Sequence, residues 1–445
     1  MLSAAIQGIA KGLEIAVGYA WGLPLVIFCL GAGIFFTFYS RFVQIRHFIY
    51  AIGTAFGKHD TKDAPGALPP FQALSAALSG TVGLGNIAGV AIAVGTGGPG
   101  ALFWMWVVAF LGMATKFVTC TLAIMYRKIN PDGTTRGGPM YYIEMGLGEK
   151  WKPMAKLFAL LGIFATLGAG NMFQANQVAQ AWSTHYGFHP LVIGFGLLVF
   201  VGVVILGGIK RIGHVAGALV PIMCAIYIAG GLYILLSNIS LIPIVFKLIM
   251  RDAFSGISIA GGAVGTVIIQ GVRRGTFSNE SGLGTEALAH STAKVDEPLH
   301  QGFVGMLGPF IDTIVVCTIT GLVIISTKSF FTRATGVDMT ILAFNYGLKG
   351  FGSYFVITAV TLFCYSTMLA YSYYGEKCSE YFFGDKAVLP YKIIFLIAII
   401  IGAGWRLGPV LDFSDLMFAL MAIPNLIAVL LLSKRVITRM KEKSF

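Results

Sequence analysis

Charged residues are scarce in this sequence. Asp, Glu, Lys and Arg make up 11% of its 445 residues, whereas hydrophobic residues make up 56%, and the mean hydropathy is +0.81. A soluble domain of this size keeps far more charge on its surface. The composition therefore excludes a soluble globular protein and predicts an all-α, polytopic protein in the lipid bilayer of the cell membrane.

Signatures of metal sites, disulfides and catalysis are also missing. The six cysteines form no CxxC pair, no two histidines have metal-ligand spacing, and no P-loop or catalytic triad is visible. No soluble segment is long enough for an enzyme domain, and the net charge of +12 is spread over short clusters between apolar runs. We therefore predict that the chain is not an enzyme, binds no nucleic acid and needs no cofactor.

Long apolar runs dominate what remains. At roughly 20 residues per membrane crossing, the chain divides into eleven predicted transmembrane spans. They cover residues 16–38, 71–94, 101–126, 155–182, 190–208, 213–236, 256–288, 302–326, 354–375, 391–404 and 409–433. The first follows a single lysine, Lys11, and no clear cleavage site comes after it, so we expect a retained helix rather than a signal peptide.

Lys and Arg are distributed unevenly between the predicted loops. With the N-terminus outside, 21 of the 31 basic residues fall on the cytoplasmic side, Lys62 among them, and seven fall outside, including Arg406. Lys116, Arg273 and Arg274 lie within spans. Because basic loops favour the cytoplasm, the sequence predicts a multi-pass protein with an external N-terminus and a cytoplasmic C-terminus.

Two spans differ from the rest. Span two carries SGTVGLGNIAG (Ser79 to Gly89), and span seven carries IIQGVRRGTFSNESGLGTE (Ile268 to Glu286), which places glycines and charges where hydrocarbon is expected. Each predicts a discontinuous helix, with the second unwound point near Gly271. A short echo, GT and GLG, occurs in both segments.

The two interrupted spans are five spans apart. Spans two to six and seven to eleven therefore form two sets of five, each opened by a discontinuous helix, and the second set enters the membrane from the opposite side. This is the pattern of an inverted repeat, which points to a transporter site near the bilayer midplane. The predicted units are an N-terminal extra helix with its loop (1–62), a first repeat (63–240) and a second repeat (241–445).

The chemistry of a broken helix suggests the ligand. Unwound backbone is tolerated in a membrane only where it is buried in protein or lines a wet cavity. One half-helix offers free amides, which suit a carboxylate, and the other offers free carbonyls, which suit an ammonium group or a hard cation. A zwitterionic amino acid matches both. The alternative is that these glycines only allow close helix packing, as Gly85 and Gly89 could.

Longer motifs carry a family resemblance. GGPGALFWMWVVAFLG (Gly97 to Gly112) resembles the signature of the alanine or glycine:cation symporters, also called sodium:alanine symporters. AGNMFQANQVA (Ala169 to Ala179), RGTFSNESGLG (Arg274 to Gly284), FIDTIVVCTITGLVI (Phe310 to Ile324) and YSTMLAYSYYGEK (Tyr365 to Lys377) agree with it. The resemblance covers nearly the whole chain and implies a LeuT-like 5+5 inverted repeat preceded by one extra helix.

The same resemblance implies a function and a site. It implies sodium-coupled symport of a small neutral amino acid, alanine or glycine, by alternating access. Sodium would be held by Ser79, Thr81, Val82, Asn86, Ser366 and Thr367. The substrate would be bound by Thr81, Gly83, Gly85, Thr266, Ile269, Gln270 and Gly271. Apart from the resemblance, substrate contact is also favoured for Asn171 and Gln174, because both lie near the middle of span four.

Further polar residues lie within the predicted spans. Asn171, Gln174 and Gln177 share a helix face at i, i+3 and i+6, so they could contact substrate or join helices. A second group could gate the pathway or form structural ion pairs: Lys116, Arg273, Arg274, Glu280 and Asp312. Arg273, Arg274 and Glu280 are expected in the inner half of span seven.

Asp312 is open to three interpretations. It could be a cation ligand, a proton carrier, or half of a structural pair with Lys116 or Arg274, of which the pair is favoured. If it carries protons, the chain would be a proton-coupled permease of the same fold. A channel or a transport-like sensor is the remaining alternative.

Overall fold

The computed structural model describes residues 2–59, 64–130, 135–254, 263–405 and 407–443. Lys62 and Arg406 of the charge count, the predicted boundary between residues 62 and 63, and the first residues of span seven lie outside these ranges. Within them the chain is almost entirely helical. A short antiparallel hairpin pairs β1 (Lys128–Ile129) with β2 (Thr135–Arg136).

Nineteen helical segments are labelled here in chain order. They are α1 Leu2–Ala20, α2 Leu23–Tyr39, α3 Val43–Arg46, α4 Phe48–Ala55, α5 Pro70–Thr81, α6 Gly85–Gly97, α7 Ala101–Met125, α8 Pro139–Tyr141, α9 Glu149–Tyr186, α10 Pro190–Ile205, α11 Gly208–Ser237, α12 Ile242–Ala253, α13 Ala263–Asn279, α14 Glu286–His290, α15 Pro298–Ser326, α16 Val337–Gly347, α17 Gly352–Phe383, α18 Asp385–Gly404 and α19 Leu407–Glu442.

Seven of the described helices are long and apolar enough to cross a membrane. The number rises to nine if two bent pairs each count as one span: α1 with α2, bent by 43°, and α5 with α6, bent by 51°. Pro24 in the first turn of α2 and the extended Gly22 before it explain the first bend. The predicted helical, multi-pass class is confirmed, and the number eleven stays a prediction.

Small residues hold the centre of the molecule together. A Cβ on Gly302 of α15 would lie 2.0 Å from Thr121 Oγ1 of α7, and one on Gly275 of α13 would lie 2.6 Å from a Val108 methyl group. Helices can approach this closely in lipid only where side chains are small. The buried helix α7 therefore packs closely against both α13 and α15.

A backbone contact joins the chain just before α5 to the chain just after α14. Ala67 and Leu68, just before α5, donate to the Thr292 carbonyl at 2.8 and 3.0 Å, and Lys294 donates to the Leu68 carbonyl at 2.7 Å. The Arg127 guanidinium also donates to the Ala293 carbonyl. This parallel bridge ties the segment that leads into α5 to the one that follows α14.

Candidate substrate and cation site

The first break separates α5 from α6. Val82 ends the α5 hydrogen-bond ladder by donating to the Leu78 carbonyl at 2.7 Å, and α6 starts with a π-helical turn at Gly85. Gly83 N–H, which has left the helix, donates to Asn86 Oδ1 at 2.8 Å. The break predicted in span two is therefore present, and a side chain closes it.

The second break lies elsewhere than predicted. Helix α13 continues without interruption through Gly271 to Asn279, and α14 begins only at Glu286. Between them Glu280, Gly282 and Gly284 have φ values of 57°, 89° and 82°, which end a right-handed helix. An unwound point near Gly271 is therefore wrong, and the discontinuity falls on residues 280–285.

Gly271 is a packing residue. A Cβ there would lie 2.5 Å from Trp104 Cβ and 2.6 Å from the Ala101 carbonyl oxygen of α7. Gln270 packs beside Gly97 at the far end of α6, about 18 Å along the helix from the first break at 1.5 Å per residue. Substrate contacts by Thr266, Ile269, Gln270 and Gly271 thus lose their structural basis.

The two breaks meet directly. A Cβ on Gly85 would lie 2.8 Å from Ser278 Cα, so the start of α6 touches the end of α13. Glycine at position 85 is needed because the two backbones approach so closely. The main chain of both discontinuous helices is thereby brought to one buried place.

Asp312 of α15 is the centre of the polar cluster at this place. Asn86 Nδ2 donates to Asp312 Oδ1 at 2.6 Å and to its carbonyl oxygen at 3.0 Å. Ser278 and Thr313 hydroxyls donate to Asp312 Oδ2 at 2.8 and 2.6 Å. All four side chains are buried. A carboxylate surrounded by neutral oxygens and one amide is a donor set that suits a small hard cation.

The favoured ion pair for Asp312 is not formed. Arg274 bonds to Asp415 instead, and within the described residues no basic group lies within 4 Å of the Asp312 carboxylate. Lys116 is close enough to interact electrostatically with Asp312 but is not its ion-pair partner. The structure therefore contradicts the structural pair and leaves the other two interpretations of Asp312.

Helix α17 closes the other side of the first break. Ser79 Oγ donates to the Ser366 carbonyl at 2.5 Å. A Cβ on Gly83 would lie 2.3 Å from Thr367 Oγ1 and 3.6 Å from Gln174 Oε1, and that Gln174 oxygen is a buried acceptor without a partner among the described residues. The structure thus brings Ser79, Gly83 and Gln174 together with Ser366 and Thr367. The Thr81 hydroxyl donates to the Leu78 carbonyl of its own helix at 3.4 Å.

The other amides of the predicted face of α9 bind neighbouring groups. Asn171 Nδ2 donates to the Phe395 carbonyl of α18 at 2.5 Å, and Gln177 Nε2 donates to Gln180 Oε1 at 3.2 Å. Asn171 therefore joins α9 to α18, whereas Gln177 bonds within its own helix. A substrate contact by Asn171 stays a prediction.

The arginines of α13 bind an acid that the sequence reading did not single out. Arg274 Nη1 donates to Asp415 Oδ1 of α19 at 3.2 Å, and Arg273 donates to Asp415 Oδ2. Trp21 Nε1 donates to the Asp415 carbonyl at 2.8 Å. Both arginines lie within α13, before the second break, and their place in the inner half of this span stays a prediction.

Glu280 and Lys116 are both buried. Glu280 accepts from Tyr371 Oη at 2.5 Å and from the Thr285 hydroxyl, so its carboxylate closes the second break. Lys116 has no carboxylate within 4 Å among the described residues, although Glu280 and Glu286 are near enough to interact with it electrostatically. Lys116 therefore lies near two acidic side chains but forms no ion pair with either of them, so the single partner expected for it is not found among the described residues.

Ser278, Thr313 and Asp415 are the site residues that sequence reasoning missed. The sequence does contain a signal for the second break. GLG occurs at residues 83–85 and again at residues 282–284, and it indicates a break close to Ser278 rather than at Gly271. Asp415 lies inside predicted span eleven, where a buried acid calls for a basic partner.

Comparison with known proteins gives consistent matches. The model of the sodium:alanine symporter family matches residues 6–444. The chain is 46% identical to the sodium/alanine symporter AgcS of Methanococcus maripaludis over 95% of this chain and 94% of that protein. It is 37% identical to the amino-acid carrier protein AlsT of Bacillus subtilis over 91% of this chain and 86% of that protein.

A solved structure supports the fold. MhsT in complex with L-phenylalanine aligns with a TM-score of 0.53 and 15% sequence identity, covering 83% of this chain and 99% of that one. At this identity the likeness shows the LeuT-like fold alone.

Proposed function

The chain belongs to the sodium:alanine symporter family, and from this premise we propose that it carries alanine, or another small neutral amino acid such as glycine, together with Na⁺ across the membrane. The family is one of transporters, in agreement with the prediction that the chain is not an enzyme. Its described apolar helices make it a multi-pass membrane protein.

The observation that carries the proposal is the contact between the breaks. Asn86 joins the free Gly83 amide on one side to the Asp312 carboxylate on the other. Na⁺ would bind the oxygens of Asp312, Ser278 and Thr313 and draw the Asn86 amide oxygen into its shell. This movement would release Gly83 N–H to the substrate carboxylate, so the ion and the amino acid would favour the same state.

The remaining site assignments are parts of the same proposal. The main chain of Thr81, Gly83 and Gly85, with Gln174 Oε1 as an acceptor for the ammonium group, would hold the substrate. Ser79, Val82, Ser366 and Thr367 would supply oxygens to a second Na⁺, and the Ser79–Ser366 hydrogen bond supports this pairing of α5 with α17.

The finer architecture is also proposed. Eleven crossings, with α1 and α2 as the extra N-terminal span and a 5+5 inverted repeat after it, agree with the two breaks and with the LeuT-like neighbour. The Lys and Arg distribution supports an external N-terminus and a cytoplasmic C-terminus.

The test is uptake of labelled alanine by proteoliposomes with an inward Na⁺ gradient. We expect accumulation that disappears when external sodium is replaced by choline at fixed pH. Asn86→Ala and Thr367→Ala should lose about tenfold or more in Na⁺ affinity, because each removes a polar group beside the break. Matched controls are Thr96→Ala on α6 and Thr358→Ala on α17, both exposed.

Several outcomes would contradict the proposal. Unchanged uptake in choline would support a proton-coupled permease with Asp312 as carrier, and failure to concentrate alanine would support a channel or a sensor. Normal sodium dependence in both site variants would overturn the site assignment but not the transport activity.

A further inference from the structure

A basic cavity lies where the ends of α2 and α19 meet the linker that contains α3 and α4. Its volume is about 360 Å³, and the side chains that matter are Tyr39, Arg41, Arg46, His47, Lys441 and Lys443. Among the residues that the structure describes, no carboxylate lines it. None of these residues belongs to the two helix breaks or to the polar cluster around Asp312.

Three of the four cationic groups of this cavity have no ion-pair partner among the described residues. Within the described part of the chain, Arg41, Arg46 and Lys441 have no carboxylate within 4 Å, and Lys443 Nζ lies 3.8 Å from Glu297 Oε2. Four cations around one cavity repel each other unless an anion joins them. The cavity is therefore electrostatically prepared for a negatively charged ligand.

Arg41 lies in a tight turn between α2 and α3. Arg41 and Phe42 adopt left-handed φ values of 54° and 59°, and Phe42 N–H donates to the Thr37 carbonyl at 2.8 Å. Left-handed backbone costs a side-chain-bearing residue roughly 1 kcal/mol or more. The turn thus fixes the chain between α2 and α3 with Arg41 on the cavity wall.

An apolar surface borders the cavity. Phe38, Phe42, Ile45 and Ile49 are 65%, 37%, 61% and 78% exposed, and the rings of Phe38 and Phe42 pack edge to face. Phe42 and Ile45 are direct chain neighbours of Arg41 and Arg46. Exposed aliphatic and aromatic groups on a membrane protein face acyl chains, so the ligand is expected to be both anionic and apolar.

We propose that this cavity binds the headgroup of an anionic phospholipid, with its phosphodiester on Arg41 and Arg46 and its acyl chains along Phe38 to Ile49. Guanidinium groups bind phosphate oxygens in bidentate fashion. Basic pockets between helices on the cytoplasmic side of a membrane bind such headgroups, and the Lys and Arg distribution assigns this face to the cytoplasm.

His47 is part of the cavity wall. Burial and the neighbouring Arg46 lower its pKa. Its Nδ1 has no hydrogen-bond partner among the described residues. This nitrogen is itself buried, so no ligand contact is assigned to it.

The experiment measures binding of labelled phosphatidylglycerol to the purified, full-length protein in phosphatidylcholine nanodiscs. We expect phosphatidylglycerol to be preferred, and Arg41→Gln/Lys441→Gln to weaken its binding about 25-fold, at about fivefold per charge removed. The matched control, Lys156→Gln/Lys210→Gln, removes two exposed charges from other predicted cytoplasmic positions and should bind as the parent does. Arg41→Lys keeps the charge, and its intermediate loss would show that the planar guanidinium matters.

Three results would overturn the proposal. They are equal binding of phosphatidylglycerol and phosphatidylcholine, an equal loss in the control double variant, and displacement of the lipid by millimolar inorganic phosphate, which would assign the cavity to free phosphate. Alanine uptake in phosphatidylcholine liposomes tests the proposed transport separately, so each failure can be recognised.

Discussion

The two helix breaks differ in how they compensate for the backbone hydrogen bonds that each interruption removes. The break between α5 and α6 covers residues 82–84, none of which is left-handed, and the Asn86 side chain takes up its free amide. The break between α13 and α14 covers residues 280–285, contains three left-handed residues, and is closed by the Glu280 carboxylate. One break is closed by a neutral side chain, and the other by backbone conformation and charge.

This difference separates a movable element from a fixed one. Rotation of one amide releases the main chain of the first break, whereas the second can change only by altering several φ angles at once. We infer that the first break responds to ligands and that the second provides the rigid surface against which it responds. Five predictions test this comparison, from the largest expected effect to the smallest.

The largest effect is expected at Asp415, which binds the two arginines of α13. Asp415→Asn should destabilise the protein by about 3 kcal/mol, because it leaves two arginines in a buried environment without their counter-charge. The measurement is the thermal unfolding midpoint in detergent. Asp412→Asn on the same helix is the control, since Asp412 forms no ion pair within the described residues. Equal midpoints for the two variants would show that the ion pairs of Asp415 do not stabilise the protein.

The next effect concerns the first break. Gly83→Ala should reduce alanine uptake roughly a hundredfold, because its Cβ would lie 2.3 Å from Thr367 Oγ1 where α5, α6 and α17 converge. Gly89→Ala is the control within the same glycine-rich segment, since its nearest neighbour is 3.7 Å away. A Gly83→Ala protein with normal uptake would remove this contact from the site.

The rigidity of the second break can be measured with two alanines. Gly284→Ala should cost about 2 kcal/mol, because the left-handed backbone is combined with a 2.7 Å approach to Asn425 Oδ1. Gly350→Ala, with a φ of 93° and open space around it, should cost only about 1 kcal/mol. If the two variants have the same thermal unfolding midpoint, the residues around Gly284 can move to accommodate the added methyl group. The second break would then not be rigid.

The contact between the breaks gives a smaller effect. Ser278→Ala should weaken the Na⁺ dependence of uptake about tenfold, since it removes a hydroxyl that is 2.8 Å from the Asp312 carboxylate. Ser372→Ala is a matched control, because that buried hydroxyl bonds only to its own helix at Leu369. If both variants have the sodium affinity of the parent protein, the cation is held elsewhere.

The smallest effect lies beyond the second break, at Glu297. Burial opposes ionisation of this carboxyl, but hydrogen bonds from Arg439 and the Leu299 N–H outweigh it and lower the pKa of Glu297. A lowered pKa stabilises the folded state at pH values above the ordinary glutamate pKa, and the stabilisation is lost as the pH falls through the folded-state value. Solvent screening limits it to about 1 kcal/mol or less. Glu297→Gln should flatten the acid side of the stability profile, and an unchanged profile would refute this.

Some of the site could be predicted from sequence for clear physical reasons. Apolar runs predict helices that cross a membrane, and four glycines with Asn86 inside such a run predict a break, because both signals are local. The second break was misplaced because Arg273 and Arg274 seemed unable to lie in a continuous buried helix. Asp415 neutralises them from 141 residues away, and no local pattern contains that information.

The parallel bridge between residues 67–68 and 292–294 has a kinetic consequence. Three amides, those of Ala67, Leu68 and Lys294, are hydrogen-bonded across it. If transport separates these segments, the amides exchange with deuterium only during the moments of separation. Their exchange rate would then count the openings of the protein, and we expect it to rise when Na⁺ and alanine drive turnover.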